Sequence, residues 1–205
     1  LRGVRFTKLE LEISDRQRLI GEEGTDTVLE VTAGGFASSA LASAATNDLK
    51  PYLAATPALQ SDHPEMVRQA HDIIADQATP RERRRALYEW VHRNVSKEMT
   101  ISLPSALDVL HTRKGDCNEL TYLAVALARA AGIPAKVMVG IAYHEGAFYY
   151  HAWPSLYAEG WVEMDPTWGQ EAVDATHIAL VEGEMAQQLQ LVKVMGQLRI
   201  QVLKE

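Results

Sequence analysis

The chain of 205 residues is long enough to bury a sizeable apolar core in one domain, with or without an additional arm. Its net charge of −7 argues against a general nucleic-acid-binding protein, because such proteins present a basic face to the phosphates. No apolar run is long enough to span a bilayer, and the single cysteine excludes both an intrachain disulfide and a multi-cysteine zinc site.

The first 60 residues are predicted to be an arm rather than part of the main domain. Residues 4–13 and 27–31 resemble strands separated by a Gly-rich turn, and residues 34–62 are interpreted as a linker or long loop with at most a short helix. We therefore divide the chain into a strand arm and linker at 1–60, a remnant of a preceding domain, and a main domain at 61–205. Because the chain starts at Leu1, we expect it to be part of a longer protein.

Four helices are predicted next along the chain. The first begins at Pro64, and the second begins after Thr79, which has capping-box spacing to Glu82. A short helix is predicted at 105–110, and a loop at 112–115 leads to a long helix from Cys117 to about Ala131. The second helix carries a basic run, interpreted as a solvated face, that consists of Arg81, Arg83, Arg84 and Arg85.

The remaining chain is predicted to be mostly strands. Residues 137–139 form one strand, and residues 148–157 and 161–164 form a hairpin with its turn at 158–160. Residues 174–186 are interpreted as an irregular crossing or short helix, and residues 189–203 as one or two closing strands. Helices followed by an antiparallel sheet predict an α+β fold.

Cys117 is predicted to be the first residue of its helix. Asp116 is a good N-cap, and Glu119 stands three residues after it, as in a capping box. The backbone N–H groups and the helix dipole at this position favour the thiolate over the thiol, and they suit an oxyanion formed beside the sulfur. A lone cysteine is more often a small buried hydrophobe. Because Cys117 lies at the polar start of its helix, we interpret it as a nucleophile.

A nucleophilic thiolate needs a base, and the base needs a residue that orients it. His151 and Asp165 lie on the two strands of the predicted hairpin. If residues 158–160 form the turn, Tyr157 faces Trp161, and His151 and Asp165 become diagonal neighbours on one face. A two-residue turn would place them on opposite faces, so the interpretation depends on the turn.

The other six histidines are interpreted as surface or boundary residues without an acidic partner. They are His63, His71, His92, His111 and His177 on helices or loops, and His144 in a turn. A metal site formed by Cys117, His151 and Asp165 is the competing chemical interpretation. Because no metal-ligand spacing such as H-E-x-x-H is present, we predict no metal and no cofactor.

Three tryptophans crowd the hairpin region, and core packing is the favoured interpretation for all of them: Trp153, Trp161 and Trp168. Two of them, Trp153 and Trp168, are also candidate substrate-binding residues. Pro154 would interrupt a central ladder of hydrogen bonds, so we expect an edge or a bulge at this position.

Three motifs in this order resemble those of the transglutaminase-like superfamily. They are Gly115-Asp116-Cys117-Asn118-Glu119 with the helix end at 126–135, then His151-Ala152-Trp153, and finally Asp165-Pro166-Thr167-Trp168-Gly169. The resemblance covers about residues 64–185 and implies a papain-like, transglutaminase-like α+β core with N-terminal helices packed on an antiparallel sheet. It implies the roles of nucleophile, base and orienting residue for Cys117, His151 and Asp165.

The function expected from this resemblance is cysteine-dependent acyl transfer or hydrolysis on an amide of a protein or peptide. The amide would be a glutamine side chain or a peptide bond, and the intermediate a thioester. The alternative is a non-catalytic binding module of a larger protein. Resemblance to microbial relatives favours a bacterial periplasm or cell envelope, and we expect neither a nucleic-acid partner nor a membrane span in this chain.

Overall fold

The computed structural model of the protein describes residues 13–23, 26–34, 49–99, 105–195 and 198–203. Over these ranges the chain forms helices and mostly antiparallel strands, which confirms the predicted α+β class. None of the helices in the described ranges is long and apolar enough to cross a membrane. The predicted strand at 4–13 lies almost entirely outside these ranges.

The described helices begin and end close to the predicted positions, with one exception. Their bounds are Pro64–Ile74 (α1), Pro80–Asn94 (α2), Ala106–Thr112 (α3), Cys117–Ala130 (α4) and Met185–Met195 (α5). The prediction of strands at 189–203 is therefore wrong over the length of α5. A short 3₁₀ turn at Lys50–Leu53 lies within the region interpreted as a linker.

The described strands form one four-stranded sheet and two smaller pairs. Their bounds are Gln17–Glu23 (β1), Asp26–Val31 (β2), Ser96–Lys97 (β3), Lys114–Gly115 (β4), Ala135–His144 (β5), Ala147–Tyr157 (β6), Trp161–Glu163 (β7) and His177–Glu182 (β8). The larger sheet has the order β7-β6-β5-β8, while β1 pairs with β2 and β3 pairs with β4. The interpretation of residues 174–186 as an irregular crossing is wrong where β8 runs, and β1 falls where a turn was predicted.

The chain divides into two compact units. The first contains the described parts of Leu1–Ala33, Met138–His151 and Asp174–Glu205, and the second contains those of Gly34–Val137 and Ala152–Val173. Strands β5 and β6 each contribute residues to both units. Every helix except α5 belongs to the second unit.

Helix α4 is the centre of the second unit. It contacts α1, α2 and α3, and ten of its fourteen residues are buried. Leu120, Leu123 and Leu127 are fully buried on this helix, so truncating any one of them to alanine would cost about 2–5 kcal/mol. This burial fixes the start of α4, and with it the position of Cys117, within the second unit.

In the first unit, the β1–β2 hairpin region holds the outer edge of β8. Gln17 Nε2 donates to the carbonyl of Ala179 over 2.9 Å, and the Ala179 N–H donates back to Gln17 Oε1. Arg16 donates to the carbonyls of Asp174 and His177, each over 3.1 Å. Because an edge strand presents unpaired backbone groups, these side chains satisfy groups that a further strand would otherwise pair.

The structure differs from two predictions about single residues, in full for Arg84 and in part for Pro154. Arg84 is not part of a solvated face but is 1% exposed, whereas the other members of the basic run are exposed. Burial lowers the pKa of Arg84, and nearby Glu171 and Glu159 favour its charged form. Pro154 lies in β6, an internal strand rather than the predicted edge, and its carbonyl accepts from the N–H of Met164 over 2.9 Å. The alternative of a bulge at Pro154 stays a prediction.

Candidate active site

Cys117 is the first residue of α4, as predicted. The helix start is held by a capping box in which Asp116 Oδ1 accepts from the N–H of Asn118 over 2.8 Å. Glu119 Oε2 accepts in return from the N–H of Asp116 over 3.1 Å. The sulfur of Cys117 accepts from the backbone N–H of Ala152 on β6, and the residue remains partly exposed. The cysteine therefore lies at a capped helix N-terminus and has a donor beside its sulfur.

The surroundings of Cys117 oppose the thiolate that its position at the helix start was predicted to favour. Burial and, after it, the Asp116 carboxylate raise the pKa of the Cys117 thiol to about 12. The N–H of Ala152 acts in the opposite direction, but Asp165 and Glu119 raise the pKa further. Three carboxylates and burial thus outweigh the single donor. The thiol therefore stays protonated unless a base accepts its proton.

Asp165 is fully buried in the second unit, and its loop fixes the orientation of its carboxylate. Oδ1 accepts from the N–H of Thr167 over 2.7 Å and from the N–H of Trp168 over 3.2 Å. The backbone of Asp165 pairs with that of Gln170 in both directions, over 2.8 and 2.9 Å. Two hydrogen bonds to one oxygen stabilise the ionised form and determine which way the other oxygen points.

Helix α2 supports the Asp165 loop through His92. His92 Nδ1 lies 2.7 Å from the carbonyl oxygen of Pro166, so this nitrogen carries the proton and donates. The imidazole also stacks on Tyr88, with ring centroids 6.3 Å apart and planes 7° from parallel. Gly169 has φ +78°, and a Cβ at this position would lie 2.9 Å from His92 Cε1. Only glycine accommodates both the backbone conformation and the imidazole.

His151 lies in β6 and is the last residue of that strand to belong to the first unit. It is 3% exposed, and Ala152, whose N–H contacts the Cys117 sulfur, directly follows it in the chain. The three-residue turn on which the histidine–aspartate interpretation depended is confirmed, because Tyr157 pairs with Trp161 in the β6–β7 ladder. Cys117 and Asp165 belong to the second unit. Ala152, the residue after His151, is the first residue of β6 in that unit.

The candidate substrate-binding tryptophans lie in different environments. Trp153 is fully buried, and its Nε1 donates to Glu163 Oε2 over 2.7 Å, which is the environment that core packing requires. Trp168 is only partly buried. Of the two side chains, Trp168 is therefore the one that can reach a substrate without a rearrangement of the core.

Two histidines have acidic partners that sequence reasoning missed. His177 is fully buried in β8, and its Nδ1 lies 3.5 Å from Asp174 Oδ1. His111 Nε2 lies 2.8 Å from Glu65 Oε2 on the surface. The Asp174–His177 spacing of three residues is the signal that could have indicated the first pair, whereas Glu65 is too distant in sequence to indicate the second.

Known proteins are similar to this chain over the segment that contains the three candidate catalytic residues. Residues 67–166 match the model of the transglutaminase-like superfamily core, and the matched segment contains Cys117, His151 and Asp165. A solved structure from Cytophaga hutchinsonii, named provisionally as a cysteine protease, is 27% identical with a TM-score of 0.61. It covers 68% of this chain and 48% of its own.

Two further relatives share part of the chain. The periplasmic domain of TgpA from Pseudomonas aeruginosa is 23% identical with a TM-score of 0.47, over 60% of this chain and 49% of that one. An uncharacterized protein of Haemophilus influenzae is 30% identical in an alignment of 116 positions that covers 49% of this chain and 31% of that protein. This chain spans less than half of its Haemophilus and Cytophaga relatives. Over residues 67–166, just under half of its length, the chain is similar to the transglutaminase-like superfamily.

Proposed function

We propose that the domain hydrolyses amide bonds of a protein or peptide through a thioester on Cys117. His151 would act as the base, and Asp165 would orient it. The observation that carries the proposal is the contact between the Cys117 sulfur and the N–H of Ala152, the residue that directly follows His151. The likeness to the Cytophaga hutchinsonii structure, named provisionally as a cysteine protease, supports the same chemistry.

In this mechanism, the imidazole of His151 takes the thiol proton while the sulfur bonds to the carbonyl carbon. The carbonyl oxygen becomes an oxyanion, and the backbone N–H of Cys117 stabilises it, since Asp116 already accepts from the N–H groups of Asn118 and Glu119. The C–N bond then breaks as the imidazolium gives its proton to the leaving amine. Water attacks the thioester and returns a proton to His151, and the thiol is restored as the carboxylic acid leaves.

Two features distinguish the possible reactions: the group that attacks the thioester and the kind of amide that is cleaved. An amine in place of water would give acyl transfer rather than hydrolysis. We favour water, because no sequence feature identifies an amine-binding pocket. Hydrolysis of a glutamine side chain releases ammonia, whereas hydrolysis of a peptide bond releases a new α-amino group, so the two substrate classes are distinguished by their products.

The test is hydrolysis of an unfolded protein substrate such as casein, with ammonia and new α-amino groups measured separately. We expect Cys117→Ala, Cys117→Ser and His151→Ala to lose at least about 100-fold in kcat, and Asp165→Asn to lose about as much. His71→Ala, which changes an exposed histidine on α1, is the matched control. Hydrolysis that survives in Cys117→Ala would contradict the proposal.

The alternative is a non-catalytic binding module within a longer cell-envelope protein. The high pKa of the Cys117 thiol favours this function, because an unassisted thiol is a poor nucleophile. Iodoacetamide alkylation against pH separates the two functions, since Cys117 is the only thiol. An active site predicts that the parent is alkylated faster than His151→Ala at the same pH, because His151 accepts the thiol proton. Equal, slow alkylation of both proteins indicates the binding module.

A further inference from the structure

His177 is a buried titratable side chain that the proposed mechanism does not use. It lies at the start of β8, is fully buried, and belongs to the same unit as His151. The two imidazole rings are in edge contact, with centroids 5.5 Å apart and planes inclined by 62°. A second histidine in contact with the proposed base constrains the directions in which that base can turn.

The protonation of His177 is determined by its neighbours. The hydroxyl of Thr176 donates to Asp174 Oδ1, so its oxygen is available to accept from His177 Nδ1, which lies 3.2 Å away. Asp174 Oδ1 is itself 3.5 Å from the same nitrogen. A hydroxyl already used as a donor and a carboxylate both require a proton on Nδ1. These two contacts favour the neutral tautomer that carries its proton on Nδ1.

The backbone around these residues is held at several points. One guanidinium, that of Arg16, donates to the carbonyls of both Asp174 and His177, each over 3.1 Å. The N–H of Tyr143 donates to the carbonyl of Thr176 over 3.1 Å. The segment that presents the His177 ring is consequently fixed at three carbonyl positions, and its ring has little freedom to move away from His151.

We propose that His177 is a positioning residue for His151, and that Thr176 and Asp174 hold it in its Nδ1–H form. The proposal rests on the function proposed above for His151. Asp174 is half exposed, so a chain of three side chains connects the solvent to the buried ring that contacts the base. A base that turns by even a small angle loses its alignment with the sulfur, so the loss should affect kcat more than KM.

Three variants test the proposal in the whole chain. Thr176→Val removes only the hydroxyl, Asp174→Asn removes only the charge, and His177→Phe keeps a ring without nitrogen atoms. His144→Phe, an exposed histidine at the end of β5, is the matched control. The measurements are imidazole ¹⁵N chemical shifts of His151 and His177, the thermal midpoint, and kcat and KM for the amide substrate.

In the parent protein we expect ¹⁵N shifts that place the His177 proton on Nδ1. Thr176→Val should redistribute that proton, and His177→Phe should shift and broaden the His151 signals. Where hydrolysis is measured, kcat should fall at least about tenfold in His177→Phe with KM within about twofold of the parent value. His144→Phe should leave each of these quantities unchanged.

The proposed hydrolysis and the positioning role of His177 are tested by different measurements. If the parent shows no Cys117-dependent hydrolysis, the proposed function fails, and the ¹⁵N shifts alone then decide whether His177 positions His151. Unchanged His151 signals in folded His177→Phe, or a parent His177 protonated on Nε2, would overturn the positioning role. Should His177→Phe fail to fold, the conservative Thr176→Val decides the same question through the position of the His177 proton.

Discussion

Asp116 and Glu119 face each other across the first turn of α4, where the N–H of Asp116 donates to Glu119 Oε2 over 3.1 Å. Their carboxyl groups also interact, and burial, followed by the hydrogen bond with Glu119, raises the pKa of Asp116 to about 6. The residue that caps the helix therefore also places a poorly solvated charge beside Cys117. The same carboxylate thus caps the helix and raises the pKa of the Cys117 thiol.

Asp116→Asn should make Cys117 more reactive. Asparagine keeps a side-chain oxygen to accept from the N–H of Asn118, so the helix remains capped while one negative charge is removed. Because the Asp116 carboxylate raises the pKa of the thiol, we expect iodoacetamide alkylation at pH 8 to accelerate about three- to tenfold. Asp108→Asn in the exposed first turn of α3 is the control, and an equal acceleration there would contradict the explanation.

The same variant should change the dependence of stability on pH. Since the pKa of Asp116 is raised from 3.8 to about 6 on folding, the folded state holds this proton more strongly than the unfolded state. Its stabilising contribution is present below pH 4 and is lost as the pH rises through 6. Allowing for solvent screening, we expect Asp116→Asn to raise the thermal midpoint by about 2 °C at pH 7 and not at about pH 3.5. An equal gain at both values would exclude this origin.

Gly115→Ala should destabilise the start of α4. A Cβ at Gly115 would lie 2.2 Å from Cβ of buried Glu119, and both atoms belong to fixed backbone positions. We expect a loss of about 1–3 kcal/mol, measured by thermal or denaturant unfolding. Gly21→Ala is the matched control, because a Cβ at Gly21 meets nothing within 4 Å. Equal stability of the two variants would show that the helix start can shift.

His92→Ala should loosen the Asp165 loop. The variant loses the 2.7 Å hydrogen bond to the Pro166 carbonyl and the ring that packs on Gly169. We expect faster hydrogen exchange at the N–H groups of Thr167 and Trp168, and about tenfold lower kcat for the proposed hydrolysis. His92→Asn places an amide donor near the position of Nδ1 and should restore most of both quantities. If His92→Asn behaves like His92→Ala, ring packing rather than the hydrogen bond supports the loop.

Local signals explain why much of the second unit could be predicted. The Asp116–Glu119 and Thr79–Glu82 capping boxes are encoded within four residues, and both form as predicted. The turn at 158–160 likewise determines the pairing of Tyr157 with Trp161 without help from distant residues. These features depend on neighbours in sequence, and such neighbours are visible before the fold is known.

Features that depend on distant contacts could not be predicted. The short apolar run of β8 does not distinguish a strand from an irregular segment, and residues 189–203 were predicted as strands where α5 forms over 189–195. Arg84 and His177 interact with residues far away in sequence, Arg84 with the charge of Glu171 and the His177 carbonyl with Arg16. The burial that raises the pKa of Cys117 likewise results from the fold rather than from a local motif.

The paired hydrogen bonds between Gln17 and Ala179 have a consequence for self-association. A single amide side chain copies the donor and acceptor of a strand residue, and it does so at the outermost strand of the four-stranded sheet. A shortened protein that lacks residues 13–34 would expose these backbone groups along β8. Such an edge invites pairing between copies of the chain, so the N-terminal hairpin protects the sheet against aggregation.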